Sequence, residues 1–416
     1  MEETKETEKK EEKKKKPKKK FRDLNKVQKS FAVVGAVLFA ALVLLIGTVG
    51  GYVIYVSAQY YRIPDNTDLS QDITKAAGTP DGSSITSGME LSIMTYNIGF
   101  GAYDHDYSFF MDTGKMKDGT VITGKYAKAI NYDHARTNTV GAASAAAAQN
   151  TDFVFVQEID KNSDRCYHIN QYEEFIGKLI GYDSVYASNF HTAYLAYPFN
   201  DPIGATEAGV ATFSKYALES AVRRSYPVDG SFPAKFFDLD RCFSVSRLSL
   251  SNGKELVLAN SHMSAYDEGG VIRKQQLAML TEFMSEEYAK GNYVIVGGDF
   301  NHDLCSSADA PEFYSDELHP DWVAELKQSD MPEGFTIVSQ FYGKDGTTPV
   351  PTCRAAEMPY TRVCRKDGTS YLSNYTVVID GFIVSDNVQV DKNYNIDLDF
   401  AYSDHNPARM DFRLKL

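Results

Sequence analysis

Asp299 and Asn301 are the first candidates for chemistry, because they stand together at the end of one short apolar run. The run is 293–296, and its β-branched residues are typical of a buried strand. Residues two apart in an extended segment point to the same side, so a carboxylate and a carboxamide are presented together. These oxygens suit a hard cation with a phosphate beside it. Both residue types are also common in turns, so the segment alone fits an ordinary turn equally well.

Other predicted strands end in the same way. Each of these polar residues alone fits a turn, a surface acid or a hydrogen-bonded core histidine. Together they supply the groups needed for metal-assisted attack of water on phosphorus. The residues are Asn97 after 91–96, Glu158 after 153–157, His262 after 256–261, and Asp404-His405 before the last strand at 410–414.

The elements that must position these side chains alternate along the chain. Helices are predicted at 133–148, 173–179 and 270–290, and further strands at 210–213, 243–250 and 377–384. The order mixes β-α-β units with hairpins, which favours an α/β protein with mixed sheets and helices on the outside.

Six motifs in order carry a resemblance: MTYNIG, FVFVQE, ANSHMSAYD, VIVGGDFN, VIDGFIVS and YSDHNP. This set resembles the endonuclease/exonuclease/phosphatase superfamily from about residue 91 to the last residue. Pancreatic-type deoxyribonucleases, abasic-site endonucleases, neutral sphingomyelinases and inositol-polyphosphate 5-phosphatases belong to that superfamily. The resemblance implies a four-layer α/β/β/α sandwich of two mixed β-sheets flanked by helices, with the site at one edge.

The resemblance also implies roles for single residues. Metal ligands are expected at Asn97, Glu158, Asp299 and Asp404, and the expected ion is Mg²⁺, with Mn²⁺ or Ca²⁺ as alternatives. Asp299 and Asn301 are expected to position the attacking water and to bind the phosphoryl oxygens.

The two histidines have separate expected roles. His405 resembles a general base or a stabiliser of the transition state, and Asp380 resembles the carboxylate that fixes its tautomer. Asp404 resembles an acid that assists at the metal. His262 resembles the histidine that acts as general acid at the leaving group, and its sequence context is closest to the sphingomyelinase side. Histidine has the pKa to exchange a proton near neutrality.

The N-terminal part predicts a membrane anchor. Residues 1–30 contain 13 Lys/Arg and 7 Asp/Glu, and residues 31–56 contain no charge. The uncharged stretch is long enough to span a bilayer as a signal anchor. Because positively charged flanks stay on the cytoplasmic side, the lysine-rich arm is expected in the cytoplasm. The polar segment 57–89 then predicts a stalk, and 90–416 a catalytic domain outside the cell. A signal peptide cleaved after Ala58 is the alternative.

Charge and cysteines limit the remaining possibilities. Residues 31–416 hold 30 basic and 49 acidic residues, which argues against a broad non-specific grip on nucleic acid. Arg223, Arg224 and Arg241 are candidate phosphate contacts or solvated surface charges. Of the five cysteines, Cys353 and Cys364 flank a loop and are candidates for a disulfide.

The sequence thus predicts a monomeric, membrane-anchored phosphoesterase that cleaves a phosphodiester, either a lipid headgroup or a small molecule. An extracellular nuclease and an inositol-phosphate phosphomonoesterase are the alternatives. A catalytically inactive surface binding protein is the contrasting class, and the complete set of site residues disfavours it.

Overall fold

The computed structural model describes residues 20–265, 270–307 and 310–415. The chain divides into two compact units, Met1–Ala58 and Gln59–Leu416. Most of the lysine-rich arm predicted for residues 1–30 lies outside the described residues. Helix α1, Lys26–Gln59, contains the predicted span. Within the described ranges it is the one helix long and apolar enough to cross a membrane, and an N-terminal signal sequence has the same properties.

A seven-stranded sheet forms one half of the second unit. Strands are numbered in chain order. The spatial order is β1 (Thr67–Asp68), β8 (Ser220–Ser225), β9 (Cys242–Ser249), β10 (Glu255–His262), β11 (Tyr293–Asp299), β19 (Asp380–Ser385) and β14 (Phe335–Val338).

A six-stranded sheet forms the other half. Its spatial order is β20 (Val388–Asn395), β21 (Ala408–Leu414), β2 (Leu91–Asn97), β5 (Phe153–Asp160), β7 (Gly204–Ser214) and β6 (Asp183–Leu195). Four two-stranded ribbons complete the described strands: β3 (Thr113–Lys115) with β4 (Val121–Thr123), β12 (His302–Asp303) with β13 (Ala324–Glu325), β15 (Cys353–Arg354) with β18 (Thr376–Val377), and β16 (Arg362–Cys364) with β17 (Ser370–Leu372).

Three helices cover the outer faces of the two sheets. Helix α2 (Tyr132–Gln149) and helix α3 (Gln171–Lys178) pack on the six-stranded sheet, and helix α4 (Val271–Ala289) packs on the seven-stranded sheet. Asn131 and Asn170 begin α2 and α3 by accepting hydrogen bonds from backbone N–H groups in the first turn. The arrangement confirms the predicted four-layer sandwich.

Successive side chains of a central strand point alternately into the core between the sheets and into the core under the helices. This burial on both faces explains the continuous apolar sequences of the strands. In β5, Phe153 and Phe155 face the core between the sheets, while Val154 and Val156 face α2 and α3. In β11, Ile295 faces the core between the sheets and Val294 faces α4. Burial on both faces holds each strand in register and so determines where its last residue lies.

The predicted strand at 377–384 is interrupted in the structure. Val377 ends β18 and Asp380 begins β19. Between them the backbone N–H groups of Ile379 and Asp380 donate to Thr352 Oγ1, at 2.9 and 3.1 Å, instead of to a neighbouring strand. The break places Asp380 at the first position of its strand.

The segment predicted as a stalk differs from the expectation. Residues from Gln59 onward belong to the compact second unit, Leu69 and Ile85 are buried in the core between the sheets, and Thr67–Asp68 pairs with β8. These two apolar side chains stand among polar neighbours, so composition alone does not reveal that they are buried.

The structure does not have the candidate disulfide between Cys353 and Cys364. All five cysteines are free thiols, with Cys353 buried and Cys364 exposed, so the two are not bonded to each other.

Candidate active site

Both sheets bring the predicted polar residues to the same edge. The pairs β2–β5 and β10–β11 are parallel, so their C-terminal ends meet there. Strand β19 is antiparallel to β11, which sets Asp380 opposite Asp299, and His262 is paired with Asp299 from the other side. Asp404 and His405 lie four and three residues before the start of β21, which is antiparallel to β2.

Asn97 connects the two sheets at this edge. Its side-chain nitrogen donates to Glu158 Oε1 at 3.1 Å and to Asp299 Oδ2 at 2.9 Å. Its side-chain oxygen accepts the Gly99 N–H at 3.0 Å. One amide therefore holds two carboxylates from opposite sheets beside each other.

The backbone is shaped to present these groups. Glu158 has a φ of 50°, within an irregularity of the β5–β7 pairing, and such a bulge re-aims a side chain. Gly298 has a φ of 146°, and a Cβ there would lie 1.9 Å from the Ser261 carbonyl oxygen. A glycine is therefore required where β11 approaches β10 and turns into Asp299.

His405 and Asp380 form a buried hydrogen-bonded pair. The ring Nδ1 lies 2.8 Å from Asp380 Oδ2, which leaves Nε2 directed at Asp299 Oδ2, 3.8 Å away. Burial alone would lower the pKa of His405, but Cys353 and the carboxylates of Asp380 and Asp404 outweigh it and raise that pKa well above its usual value.

His262 approaches the same oxygen from the other side. Its Nε2 lies 3.6 Å from Asp299 Oδ2 and 3.9 Å from Glu158 Oε1. Burial, with the nearby charges of Arg241 and His405, lowers the pKa of His262 well below its usual value. The two histidines that face Asp299 thus have opposite pKa shifts, an arrangement that separates an acid from a neutral imidazole.

Burial raises the pKa of the aspartates of the site. Burial raises the pKa of Asp299 to about 6, with a further contribution from Asp380. Burial likewise raises the pKa of Asp404 to about 6, and the charge of Glu158 contributes to the shift. Buried acids that repel one another are stabilised by a cation.

The donor set fits a divalent metal ion. The carboxylates of Glu158, Asp299 and Asp404 and the amide of Asn97 are hard oxygen donors of the kind such ions prefer. The tightest group of ligand-type atoms is instead Asp299, Asp380 and His405, within 4.8 Å of one another. Because the 2.8 Å hydrogen bond already engages His405 Nδ1 with Asp380, the remaining oxygens are the ones that could hold a metal.

These residues line a cleft of about 210 Å³. Glu158, His262, Asp299, Asn301, Asp404 and His405 reach its surface, while Asn97 and Asp380 are buried behind them. The Asn301 amide is held by a 2.8 Å hydrogen bond from its nitrogen to the Met263 carbonyl. The structure therefore brings all eight predicted site residues together.

Only one of the three candidate phosphate contacts reaches the cleft. Arg241 lines it, and its Nε and Nη1 are buried without a hydrogen-bond partner among the described residues. Arg223 is engaged by Asp240 at 3.1 Å, and Arg224 by Asp65 at 3.0 Å. Of these three arginines, Arg241 is thus the one available to an incoming anion.

Several cleft residues were not identified from the sequence. They are Arg165, which pairs with Asp160 and lies over the Phe100 ring, Arg354, Trp322, and the buried carboxyl groups of Glu317 and Glu357. Four of them come from the long segment 305–373, where no periodic pattern points to the cleft.

A polar bridge behind the site was also missed. Gln157 Nε2 donates to Asn260 Oδ1 at 2.7 Å, and Asn260 Nδ2 donates to the Ala211 carbonyl at 2.9 Å. This bridge joins β10 to β5 and β7 across the core, directly before Glu158 and His262. Buried polar residues next to a predicted site residue are the local signal that could have found it.

A family profile matches most of the chain, over residues 94–405, and it describes the Endonuclease/Exonuclease/phosphatase family. The chain belongs to this family. It is therefore a phosphoric ester hydrolase, and dependence on divalent metal is typical of its relatives. The family match confirms the resemblance drawn from the six motifs.

A solved structure supports the fold. An endonuclease/exonuclease/phosphatase from Beutenbergia cavernae DSM 12333 shares 14% identity at a TM-score of 0.50, covering 78% of this chain and 72% of its own. Two others are similar at lower scores. ANGEL2, a 2′,3′-cyclic phosphatase, shares 15% identity at a TM-score of 0.48, covering 86% of this chain and 100% of its own. D. rerio TDP2, complexed with a single-strand DNA product, shares 15% identity at a TM-score of 0.45, covering 78% and 99%. A comparison with curated proteins gave no match.

Proposed function

We propose that this protein uses Mg²⁺ to hydrolyse a phosphodiester, either a lipid headgroup or a small molecule, on the outer side of the membrane. One observation carries the proposal: Asp299 Oδ2 lies between the Nε2 atoms of His262 and His405, beside a cluster of oxygen donors and inside one cleft. A phosphate placed there would meet a carboxylate, two imidazoles and a metal at once.

The metal would be held by Asn97, Glu158, Asp299 and Asp404, with Mn²⁺ or Ca²⁺ as alternatives to Mg²⁺. When bound, the ion would neutralise the charge of the phosphoryl oxygens. The acidic cluster supports this assignment, because a cation offsets the burial that raises the pKa of Asp299 and Asp404.

His405 would act as the protonated stabiliser of the phosphoryl oxygens rather than as a base. Its raised pKa supports this choice between the two roles expected from the sequence, and Asp380 keeps the charged ring oriented. Asn301 and Arg241 would bind the other oxygens from the cleft wall.

Asp299 would orient the attacking water. The water's oxygen would bond to phosphorus and pass one proton to the Asp299 carboxylate, whose pKa burial raises to about 6, while the bond from phosphorus to the leaving oxygen breaks and that oxygen needs a proton. His262 would deliver it. An anionic phosphodiester beside His262 raises the pKa of the ring, since an opposite charge favours the charged form, and this offsets the lowering caused by burial.

The same proposal covers location and assembly. Helix α1 would anchor the chain with the lysine-rich arm in the cytoplasm and residues 59–416 outside, because positive charge flanks the apolar helix on its N-terminal side. The chain would act as a monomer, because a single chain contributes every residue of the cleft named above.

The test is hydrolysis by the full chain in detergent, with Mg²⁺ or with EDTA. The substrates are bis-p-nitrophenyl phosphate, sphingomyelin, plasmid DNA and inositol phosphates. We expect Mg²⁺-dependent turnover of a diester, and a loss of about 10³-fold in His405→Ala. His168→Ala removes an exposed histidine and serves as the matched control.

Three outcomes would overturn all or part of the proposal. Equal rates for wild type and His405→Ala would refute the enzymatic assignment. Cleavage of plasmid DNA alone would make the protein a nuclease, and cleavage of inositol phosphates alone would make it a phosphomonoesterase.

A further inference from the structure

Large aromatic side chains are exposed on two loops of the second unit. The loop 196–203 joins β6 to β7 and carries Tyr197 and Phe199, which are 54% and 85% exposed. The loop 226–241 joins β8 to β9 and carries Phe232, which is 64% exposed. Single exposed apolar residues are ordinary, but several large exposed rings on neighbouring segments are typical of a surface that a membrane or another molecule covers.

Two consecutive tyrosines link the second loop to strand β6, which leads into the first loop. Tyr60 packs edge-on against Phe236 of the second loop, with ring centres 5.5 Å apart. Tyr61 stacks on His191, near the end of β6 that leads into the first loop, with ring centres 3.8 Å apart. We call Tyr60, Tyr61, Tyr197, Phe199 and Phe232 the aromatic surface, and Phe236, which is buried, supports the Tyr60 ring.

The covalent chain connects this surface to the apolar helix. Gln59 is the last residue of α1, and Tyr60 is the next residue. One residue spans at most about 3.6 Å, so Tyr60 and Tyr61 must lie close to the end of α1. If α1 spans the membrane, the two rings therefore lie near the level at which the helix leaves the hydrocarbon. Tyrosine is enriched at that depth, where an apolar ring and a polar hydroxyl are both accommodated. Lys235, whose ammonium lies 5.0 Å from the Tyr60 ring centre, adds a positive charge suited to lipid phosphate.

We propose that the aromatic surface binds the lipid headgroup layer of the membrane in which α1 is anchored. The partner is thus a phospholipid bilayer, and the direct covalent link from α1 to Tyr60 is the reason to prefer it over a second copy of the chain. Aromatic side chains at an interface lower the free energy of a docked domain by burying apolar area.

The segment that follows Tyr61 is hydrogen-bonded to the rim of the cleft. Arg62 Nε donates to Asp240 Oδ1 at 2.8 Å, and the Ile63 N–H donates to Asp240 Oδ2 at 2.9 Å. Asp240 is followed directly by Arg241, and Leu239 and Arg241 both line the cleft. Docking therefore holds the cleft rim close to the headgroups, and the substrate class that follows is the phosphodiester of a membrane phospholipid. The docking rests on the anchoring of α1 proposed above, and this last step rests on the proposed hydrolysis as well.

The docking is tested with the full chain in nanodiscs of phosphatidylcholine that contains spin-labelled phosphatidylcholine as quencher. Phe199→Trp places a reporter on the aromatic surface. Ile180→Trp is the matched control, because Ile180 is 84% exposed but lies just before β6, whose 13 residues separate it from the first loop by roughly 40 Å. Fluorescence is compared with that of wild type, which contains only Trp322.

The emission that each new tryptophan adds to that of Trp322 is the signal measured. We expect the spin label to quench this added emission in Phe199→Trp and to leave it unchanged in Ile180→Trp. Equal quenching of both reporters, or no quenching at position 199, would overturn the docking proposal. Dimers in the nanodisc with unquenched Phe199→Trp would assign the surface to a second copy instead.

A second measurement separates docking from chemistry. Combined Tyr197→Ser, Phe199→Ser and Phe232→Ser is expected to lower hydrolysis of sphingomyelin or phosphatidylcholine in vesicles by roughly tenfold or more. Turnover of soluble bis-p-nitrophenyl phosphate should stay unchanged, as it should in Ile180→Ser on both substrates. If Phe199→Trp is quenched and the enzyme hydrolyses the soluble diester but no lipid, the docking stands and the lipid substrate is refuted. Turnover of the soluble diester without quenching would refute docking and leave the proposed hydrolase intact.

Discussion

At the scale of single residues, the site depends on charges that are buried together. Asp299 and Asp380 are at most 2% exposed, and they share one edge of the cleft with His262 and His405. Each carboxylate would be costly alone, so the arrangement is stable only because each has an amide or an imidazole to interact with. The opposite pKa shifts of the two histidines follow from the same arrangement, since burial and then Arg241 lower the pKa of His262, whereas Cys353 and the nearby carboxylates outweigh burial at His405.

Asp380→Asn tests whether His405 acts in its protonated form. Loss of the negative charge that bonds to Nδ1 removes a cause that raises the pKa of His405, so this pKa falls. Activity that needs the charged ring is lost as pH rises through that pKa. We therefore expect the alkaline limb of kcat/KM to move to lower pH, together with a fall of about 10²-fold in kcat. A pH–rate profile on bis-p-nitrophenyl phosphate measures both, and an unmoved alkaline limb would contradict the assignment.

Arg241→Ala tests the anion contact in the cleft wall. Its guanidinium has buried nitrogens with no partner within the described part of the chain, so an anionic substrate is the group they can bind. We expect KM for a soluble diester to rise roughly tenfold or more, because a charge-assisted hydrogen bond to substrate is lost.

Arg224→Ala is the matched control for Arg241→Ala. It removes the neighbouring arginine that pairs with Asp65 at 3.0 Å and leaves the cleft unchanged. An equal rise in KM for both variants would show that general charge, and not a contact from Arg241, attracts the substrate.

At the scale of elements, the boundary of the domain lies earlier than composition indicates. Residues 59–89 supply Leu69 and Ile85 to the core and strand β1 to the sheet. A fragment that begins at Glu90 lacks these side chains and β1, which leaves a cavity in the core and a bare sheet edge. A fragment that begins at Gln59 keeps the two side chains and the strand. We expect the 90–416 fragment to be several kcal/mol less stable, at about 2–5 kcal/mol per deleted large side chain. Thermal unfolding of the two purified fragments measures the difference, and equal melting temperatures would restore the stalk interpretation.

The elements that the sequence predicted are those with a local signal. Strands buried on both faces have continuous apolar sequences, and polar residues at their ends stand out, so the sequence alone identifies Glu158, His262 and Asp299 as candidates. Asn301 and Asp404-His405 were found in the same way. Arg354, Glu317 and Glu357 come from a segment of short strands and loops, whose course is determined by contacts distant in sequence. Leu69 and Ile85 were missed because an isolated apolar residue in a polar segment has no period from which burial can be inferred.

At the scale of the whole molecule, buried acids make stability depend on pH. Burial and the neighbouring Glu317 raise the pKa of Glu357 from 4.5 to about 8. Between these two values the folded chain holds a proton that the unfolded chain has released, so stability falls as pH rises and the contribution is lost above about 8. Glu357→Gln removes this dependence.

The free energy of unfolding of wild type should therefore fall more steeply than that of Glu357→Gln between pH 5 and pH 9. The expected excess is roughly 2 kcal/mol, since one pKa unit corresponds to about 1.4 kcal/mol and the Glu317–Glu357 pair shares the shift. Urea unfolding of the 59–416 fragment at the two pH values measures it. Glu282→Gln alters an exposed acid and serves as the control. Parallel pH dependences in all three proteins would contradict the prediction.

The side of the membrane on which the domain lies is the remaining property of the whole chain, and one thiol reports it. Cys364 is exposed, Cys305 is partly buried and the other three cysteines are buried, so Cys364 is the preferred target of a membrane-impermeant maleimide. If positive charge keeps the lysine-rich arm in the cytoplasm, Cys364 lies outside and reacts in intact cells. A polyethylene-glycol maleimide should then shift the mobility of wild type but not of Cys364→Ser. Labelling that occurs only after the cells are permeabilised would place the domain inside and would also remove the outer leaflet as its source of substrate.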